Sequence, residues 1–248
     1  MAALDMILIH GWASDQGVWQ VTRDYLGKRY RVHTLDLPPL VDSYTYRDAV
    51  GQLIRGQGLN KVILAGWSMG SLVVMQAAKE WPGAVKGLVL ISGTGKFTSE
   101  SSGGYNGGLP PVLVARMKKR LIQDLPKTLL DFHRLMFSPR ERQLDLDRTI
   151  VEKYLRGRPW ELAEVLGGLD YLLKTDLRHE LKAISCPVLL IHGDRDEICP
   201  LKGALYLQAN LSQARLKVFP ECGHVPFLTQ GDSFHQCLEE WVNSYGLE

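Results

Sequence analysis

At 248 residues the chain has the length of one α/β domain, and with 45% apolar and 23% charged residues it is neither disordered nor fibrous. A net charge of +2 singles out no partner, and four cysteines without a C-x-x-C pair argue against a structural zinc or a redox dithiol. No apolar run approaches the ~18 residues of a membrane span, and the opening MILIH is too short for a secretory leader, so a reducing cytosol is the expected setting.

The first apolar run, Met6–His10, leads directly into the loop GWASD. The second, Arg31–Leu37, ends in DLPPLVDS. The third, Lys61–Gly66, passes through Trp-Ser-Met-Gly into SLVVMQAAKEW, whose apolar residues recur at helical spacing. Val85–Ser92 is the fourth run. Pro187–Gly193 and Arg215–Pro220 follow, the last leading to ECGHVPF and the helical stretch FHQCLEEWV. Val/Ile/Leu runs without alternation predict strands covered on both faces, and strands alternating with helices predict a doubly wound, mostly parallel α/β sheet. Between Ser92 and Pro187 there is no strand signal. The Gly/Ser-rich GTGKFTSESSGGYNGG gives way there to helical, charge-rich sequence. A structureless loop of that length does not suit a compact domain, so a helical cap is expected after the fourth strand. The expected division is 1–94 and 184–248 as core and 95–183 as cap.

In such a sheet, ligands bind beyond the carboxyl ends of the strands, and Ser68 stands at one of them. Gly66 and Gly70, two positions to either side, permit a sharp strand-to-helix turn that exposes the serine Oγ. The helix that follows points its N-terminus at the same spot and favours negative charge there. A hydroxyl is too weak a nucleophile alone; it needs a base, and the base an orienting acid, in the chain order serine, acid, histidine. His224, in the loop after the last strand and flanked by Gly223 and Pro226, is the candidate base. The loop HGDRDEICP after the fifth strand offers two acids, Asp194 and Asp196. His10 lies too early in the chain, and His192, inside the fifth strand, reads as structural. The amides of Met69, next to the serine, and Trp12, in the loop after the first strand, are the candidate oxyanion donors.

These residues resemble the α/β-hydrolase superfamily over essentially the whole chain. ILIHGW, LAGWSMGSLVVMQAA, GGLDYLLKTDLR and CGHVPF resemble, within it, the family of pimeloyl-[acyl-carrier protein] methyl ester esterases of biotin synthesis. The resemblance implies Ser68 as nucleophile, His224 as base, Asp196 rather than Asp194 as acid, and Trp12 and Met69 at the oxyanion hole. It implies that Trp12 and Phe132 border the acyl group, and that no metal or organic cofactor is needed. The chain departs from it in starting almost at its first core strand, without the N-terminal hairpin of many relatives, and in DLPPLVDS, which replaces the more usual DLPGxGxS.

Between Phe97 and Trp160 there are twelve Lys and Arg against seven Asp and Glu, an excess of five positive charges, while the remainder of the chain carries net −3. A basic face beside an active site can steer an acidic partner. Together with the resemblance, this predicts an acyl carrier protein as substrate carrier, docked by Lys127, Arg134, Arg140 and Arg142. A basic helical cap can also be simply solvated. Nucleic acid is not expected, because the basic stretch carries no binding motif, and neither is a membrane. The expected activity is a serine carboxylester hydrolase on a small acyl ester. A general short-acyl carboxylesterase or a carbon–carbon bond hydrolase would use the same three residues, and a hydrolase-fold ligand receptor could keep them without turnover.

Overall fold

Each apolar run forms a strand within two residues of its expected ends. The computed structural model describes residues 4–39, 44–100 and 104–247. Parts of DLPPLVDS (residues 40–43) and of the Gly/Ser-rich segment (residues 101–103) lie outside the described residues. The strands are β1 (Asp5–Ile9), β2 (Arg31–Leu35), β3 (Val62–Trp67), β4 (Val85–Ile91), β5 (Val188–Gly193) and β6 (Ala214–Phe219). They form one sheet in the order β2-β1-β3-β4-β5-β6, and every pairing in it is parallel. The register brings Leu64 of β3 opposite Ile7 on one side and Leu88 on the other, and Leu90 of β4 opposite Leu190. The carboxyl ends of β1, β3, β4, β5 and β6 therefore meet along one edge, where a parallel sheet binds its ligand.

Eleven α-helices lie among the described residues: α1 (Gln20–Leu26), α2 (Tyr44–Gly56), α3 (Met69–Glu80), α4 (Pro111–Gln123), α5 (Leu125–Leu135), α6 (Pro139–Gln143), α7 (Leu146–Ile150), α8 (Leu162–Lys174), α9 (Leu201–Asn210), α10 (Pro226–Thr229) and α11 (Gly231–Ser244). A π-helical turn, Val151–Leu155, continues α7. In β1 and β3 every residue is buried, as the unbroken apolar runs predict, and α3 buries nine of its twelve residues against them. β2 and β6 depart from that expectation. As the sheet's two edges they are half-exposed, and Arg215 and Lys217 of β6 face solvent. Charged side chains on an edge strand discourage pairing with another chain, and sequence runs alone do not reveal which strands are edges.

Helices α4 to α8 all fall between β4 and β5. Where the chain leaves and rejoins the sheet, an isolated antiparallel bridge joins Lys96 to Asp176. Arg178, whose side chain is only 11% exposed, donates to Asp176 and Glu100, and Lys96 pairs with the same two acids. The Arg178 guanidinium holds the Asp176 carboxyl down at about 2. This charge cluster ties the two ends of the helical insertion together at its neck.

Candidate active site

The turn after β3 explains why glycine flanks Ser68. A Cβ on Gly66 would lie 2.3 Å from the Gly70 carbonyl oxygen, and one on Gly70 would lie 2.5 Å from the Ile9 carbonyl oxygen. Any side chain at either position would push α3 off the sheet. Ser68 itself takes φ 55°, ψ −118°, a strained conformation for a residue with a Cβ. Its amide donates to the Ile91 carbonyl and its carbonyl accepts from the Ser71 amide, which holds the strained residue in place. Ser68 is half-buried.

His224 is fully buried. Its Nδ1 lies 2.7 Å from Asp196 Oδ2, and Nε2 has no hydrogen-bond partner among the described residues. With Nδ1–H donated to the carboxylate, Nε2 carries the lone pair and is free to take a proton. Asp196 Oδ1 accepts from the Ile198 and Cys199 amides, each at 2.8 Å. Burial pushes the Asp196 carboxyl up, but the charge and hydrogen bond of His224 and the Cys199 amide outweigh it and hold it below its ordinary value. Asp194 is exposed and sits 3.9 Å from Arg195, away from the histidine. Of the two aspartates in that loop, Asp196 alone meets His224.

Trp67, the residue before the serine, donates its indole N–H to the His224 carbonyl at 2.9 Å. His192 donates to the Cys199 carbonyl at 2.7 Å, 3.5 Å from Asp196 Oδ2, so it braces the acid loop. The Cys199 thiol lies within hydrogen-bonding reach of Ser68, and burial first, with the Asp196 charge, pushes that thiol well up and keeps it protonated. At the level of sequence His192 reads as structural, and Cys199 is not singled out. Their type gives no signal; only the closure of the 196–199 loop brings them to the acid.

The oxyanion candidates share one corner. A Cβ on Gly11 would meet Ser68 Cβ at 3.2 Å, so the loop after β1 lies directly beside the serine. As the first residue of α3, Met69 has an amide that no helical carbonyl can satisfy, and Trp12 and Met69 line one small cavity of about 30 Å³. His10 shapes this loop: Nδ1–H donates to the Gly11 carbonyl at 2.8 Å, and Nε2 accepts from the Leu37 amide at 3.0 Å. The Trp12 indole donates to Val165 of α8 at 2.8 Å and meets Phe132 of α5 edge-on, with ring centroids 4.8 Å apart. Phe132 also lines a cavity of about 520 Å³ between α4, α5 and Glu197–Ile198, walled by Phe97, Leu109, Val114 and Met117.

The four basic residues expected to dock a partner lie on α5 and α6. Lys127 lies in the first turn of α5 and is 3.4 Å from Asp131. Arg134 and Arg140 are exposed and have no ion-pair partner among the described residues. Arg142 is half-exposed, donating to the Phe137 carbonyl and 3.9 Å from Glu197. Among the described residues no group of three or more His, Cys, Asp or Glu could hold a metal ion, and no helix is long and apolar enough to cross a membrane.

His133, beside Phe132 on α5, is 3% exposed and lies 3.4 Å from the Ala13 carbonyl. Burial lowers its pKa from 6.5 to about 4. Burial also lowers His10, His192 and His235. Between pH 4 and 6.5 the unfolded chain therefore binds more protons than the folded one, so stability falls as pH drops through that window, His133 alone contributing on the order of 3 kcal/mol. Melting temperatures at pH 7.5, 6 and 5 should fall in sequence. His133→Gln should flatten the slope, and an unchanged slope would exclude His133 as its source.

The sequence profile of the α/β hydrolase family matches residues 6–236, and the chain belongs to that family; it is a hydrolase. It is 34% identical over 242 residues to the pimeloyl-[acyl-carrier protein] methyl ester esterase of Nitrosomonas europaea, covering 95% of this chain and 94% of that one. It is 32% identical to the protein of the same name from Vibrio cholerae, covering 96% and 94%. Among solved structures, bromoperoxidase from Bacillus anthracis superposes with a TM-score of 0.87 at 21% identity, covering 98% of this chain and 92% of that one. An esterase from Exiguobacterium antarcticum superposes at 0.82 with 24% identity and the same coverage. At those identities the two structures speak for the fold alone.

Proposed function

We propose that this hydrolase cleaves the methyl ester of a pimeloyl group carried on an acyl carrier protein, using Ser68, His224 and Asp196 through an acyl-enzyme. The observation that carries the mechanism is the buried His224–Asp196 pair, with Nε2 unpartnered, in the same loop cluster as the strained serine. Ser68 Oγ attacks the ester carbonyl and Nε2 takes its proton, while the Nδ1 proton stays on the bond to Asp196. The Trp12 and Met69 amides receive the oxyanion, worth about 3 kcal/mol per donor in well-measured cases. As the tetrahedral adduct collapses, Nε2 returns its proton to the departing methanol. Water then attacks the acyl-enzyme with His224 again as base, and pimeloyl-carrier protein leaves.

The substrate assignment is supported by the names of the relatives, by the largely apolar 520 Å³ cavity behind Phe132 and by the basic surface of α5 and α6. We take residues 95–183 as a cap over residues 1–94 and 184–248, with Lys127, Arg134 and Arg140 as the exposed docking charges. Arg142, engaged with the Phe137 carbonyl and near Glu197, contributes less. The test compares pimeloyl-carrier-protein methyl ester with p-nitrophenyl butyrate at low and high salt. The carrier substrate should be favoured in kcat/KM, and the preference should weaken as salt screens the exposed charges. Lys127→Ala with Arg134→Ala and Arg140→Ala should raise KM for the carrier substrate and leave the short ester unchanged. Turnover of the short ester alone would keep the triad and remove the carrier assignment.

A further inference from the structure

Glu141 is a buried acid that the reaction above leaves unused. It is the third residue of α6, 4% exposed, and forms a capping box with Ser138. Its Oε2 accepts from the Ser138 amide at 2.7 Å and also, across 82 residues, from the Gly223 amide at 3.0 Å. A capping box functions on a solvated helix end, so capping does not account for the cost of burying this carboxylate. Its second partner does, because Gly223 directly precedes the base.

The same short segment holds the base loop at two further points. The His224 amide donates to the Met136 carbonyl at 2.6 Å, and Ser138 Oγ donates to the Glu221 carbonyl at 2.6 Å. Contact is so close that a Cβ on Gly223 would lie 2.1 Å from the Met136 carbonyl oxygen. The backbone of His224 is thus held at its carbonyl by Trp67 of the sheet and on its amide side by residues 136–141 of the helical insertion. The buried Cys222 thiol lies beside the same carboxylate.

We infer that Glu141 is a positioning residue for the general base: its carboxylate, supplied by the insertion, fixes the Cys222–Gly223 peptide at the entry to His224 and with it the aim of Nε2. The inference rests on the triad reading above. Without the carboxylate, a buried Gly223 amide has no acceptor, the peptide turns to find one, and the imidazole moves with it. A displacement of about 1 Å in a catalytic group can cost on the order of 100-fold in rate.

The test uses Glu141→Ala, Glu141→Asp and Glu141→Gln, with Ser68→Ala as control, on p-nitrophenyl butyrate below the melting temperature of each protein. Glu141→Ala should lower kcat about 100-fold with KM nearly unchanged, and Glu141→Asp, whose carboxylate is withdrawn by one methylene, about 10-fold. Glu141→Gln keeps an acceptor oxygen and should stay within about threefold of wild type. The low-field proton resonance of His224 Nδ1–H should shift in the alanine variant and be restored in the glutamine variant. Wild-type kcat and resonance in a folded Glu141→Ala, with only a lower melting temperature, would overturn the inference. If Glu141→Ala does not fold, equal kcat for the aspartate and glutamine variants overturns it. A dead Ser68→Ala beside a normal Glu141→Ala removes this inference alone, whereas an active Ser68→Ala removes the triad reading and this inference with it.

Discussion

Ser68→Ala will abolish turnover, with kcat falling about 10⁵- to 10⁶-fold while the protein stays folded. The substitution removes the one oxygen at the tip of the β3–α3 turn and leaves His224 and Asp196 paired. The neighbouring hydroxyl, Ser71 Oγ, cannot substitute: it is fully buried and donates to the Gly66 carbonyl at 2.9 Å. The Cys199 thiol cannot either, since burial keeps it protonated. Because alanine meets the same φ of 55° that serine does, no backbone strain is relieved, and the melting temperature should stay within a few degrees of wild type. Active-site titration with a fluorophosphonate separates the outcomes. Residual labelling at another residue would assign the nucleophile elsewhere.

Asp196→Asn should cost about 10⁴-fold in kcat with little change in fold. The amide oxygen can still accept from the Ile198 and Cys199 amides, so the loop keeps its shape. The other end of the side chain becomes an N–H₂ facing His224 Nδ1. The imidazole then accepts at Nδ1 and carries its proton on Nε2, the atom that has to receive one from the serine. The loss is one of tautomer, not of packing. Circular dichroism and the melting curve should match wild type while kcat collapses; a loss below about tenfold would show that Asp196 is not the orienting acid.

Much of this site was legible in the sequence because its parts lie where local pattern is strongest. β1, β3, β4 and β5 are unbroken apolar runs, and the residues proposed to react follow them in loops marked by glycine and proline. Ser68 and His224 were readable as candidates from those positions alone. The choice between Asp194 and Asp196 was not, since both follow β5; their difference is whether the carboxylate turns in beneath residues 198–199 or out toward Arg195. Edge position was equally hidden, and β2 and β6 were read as covered when each has a neighbour on one side only. Glu141 was the least legible. In PRERQ it resembles any solvated helix residue, and its role depends on how α6 sits against a loop 82 residues away, which no local period encodes.

The bond from the Trp67 indole to the His224 carbonyl joins two residues 157 positions apart. Loops that long close late, because the chain must first order what lies between them. During synthesis the serine, its strained turn and the loop after β1 can all be in place while the proposed base is still unmade, and on the proposed triad the nascent chain stays inert until nearly its last helix emerges. Hydrolysis through that triad would therefore report complete folding, not a folded N-terminal half, and a truncation that removes only β6 and the helices after it should bind no activity-based probe even if the first four strands hold together.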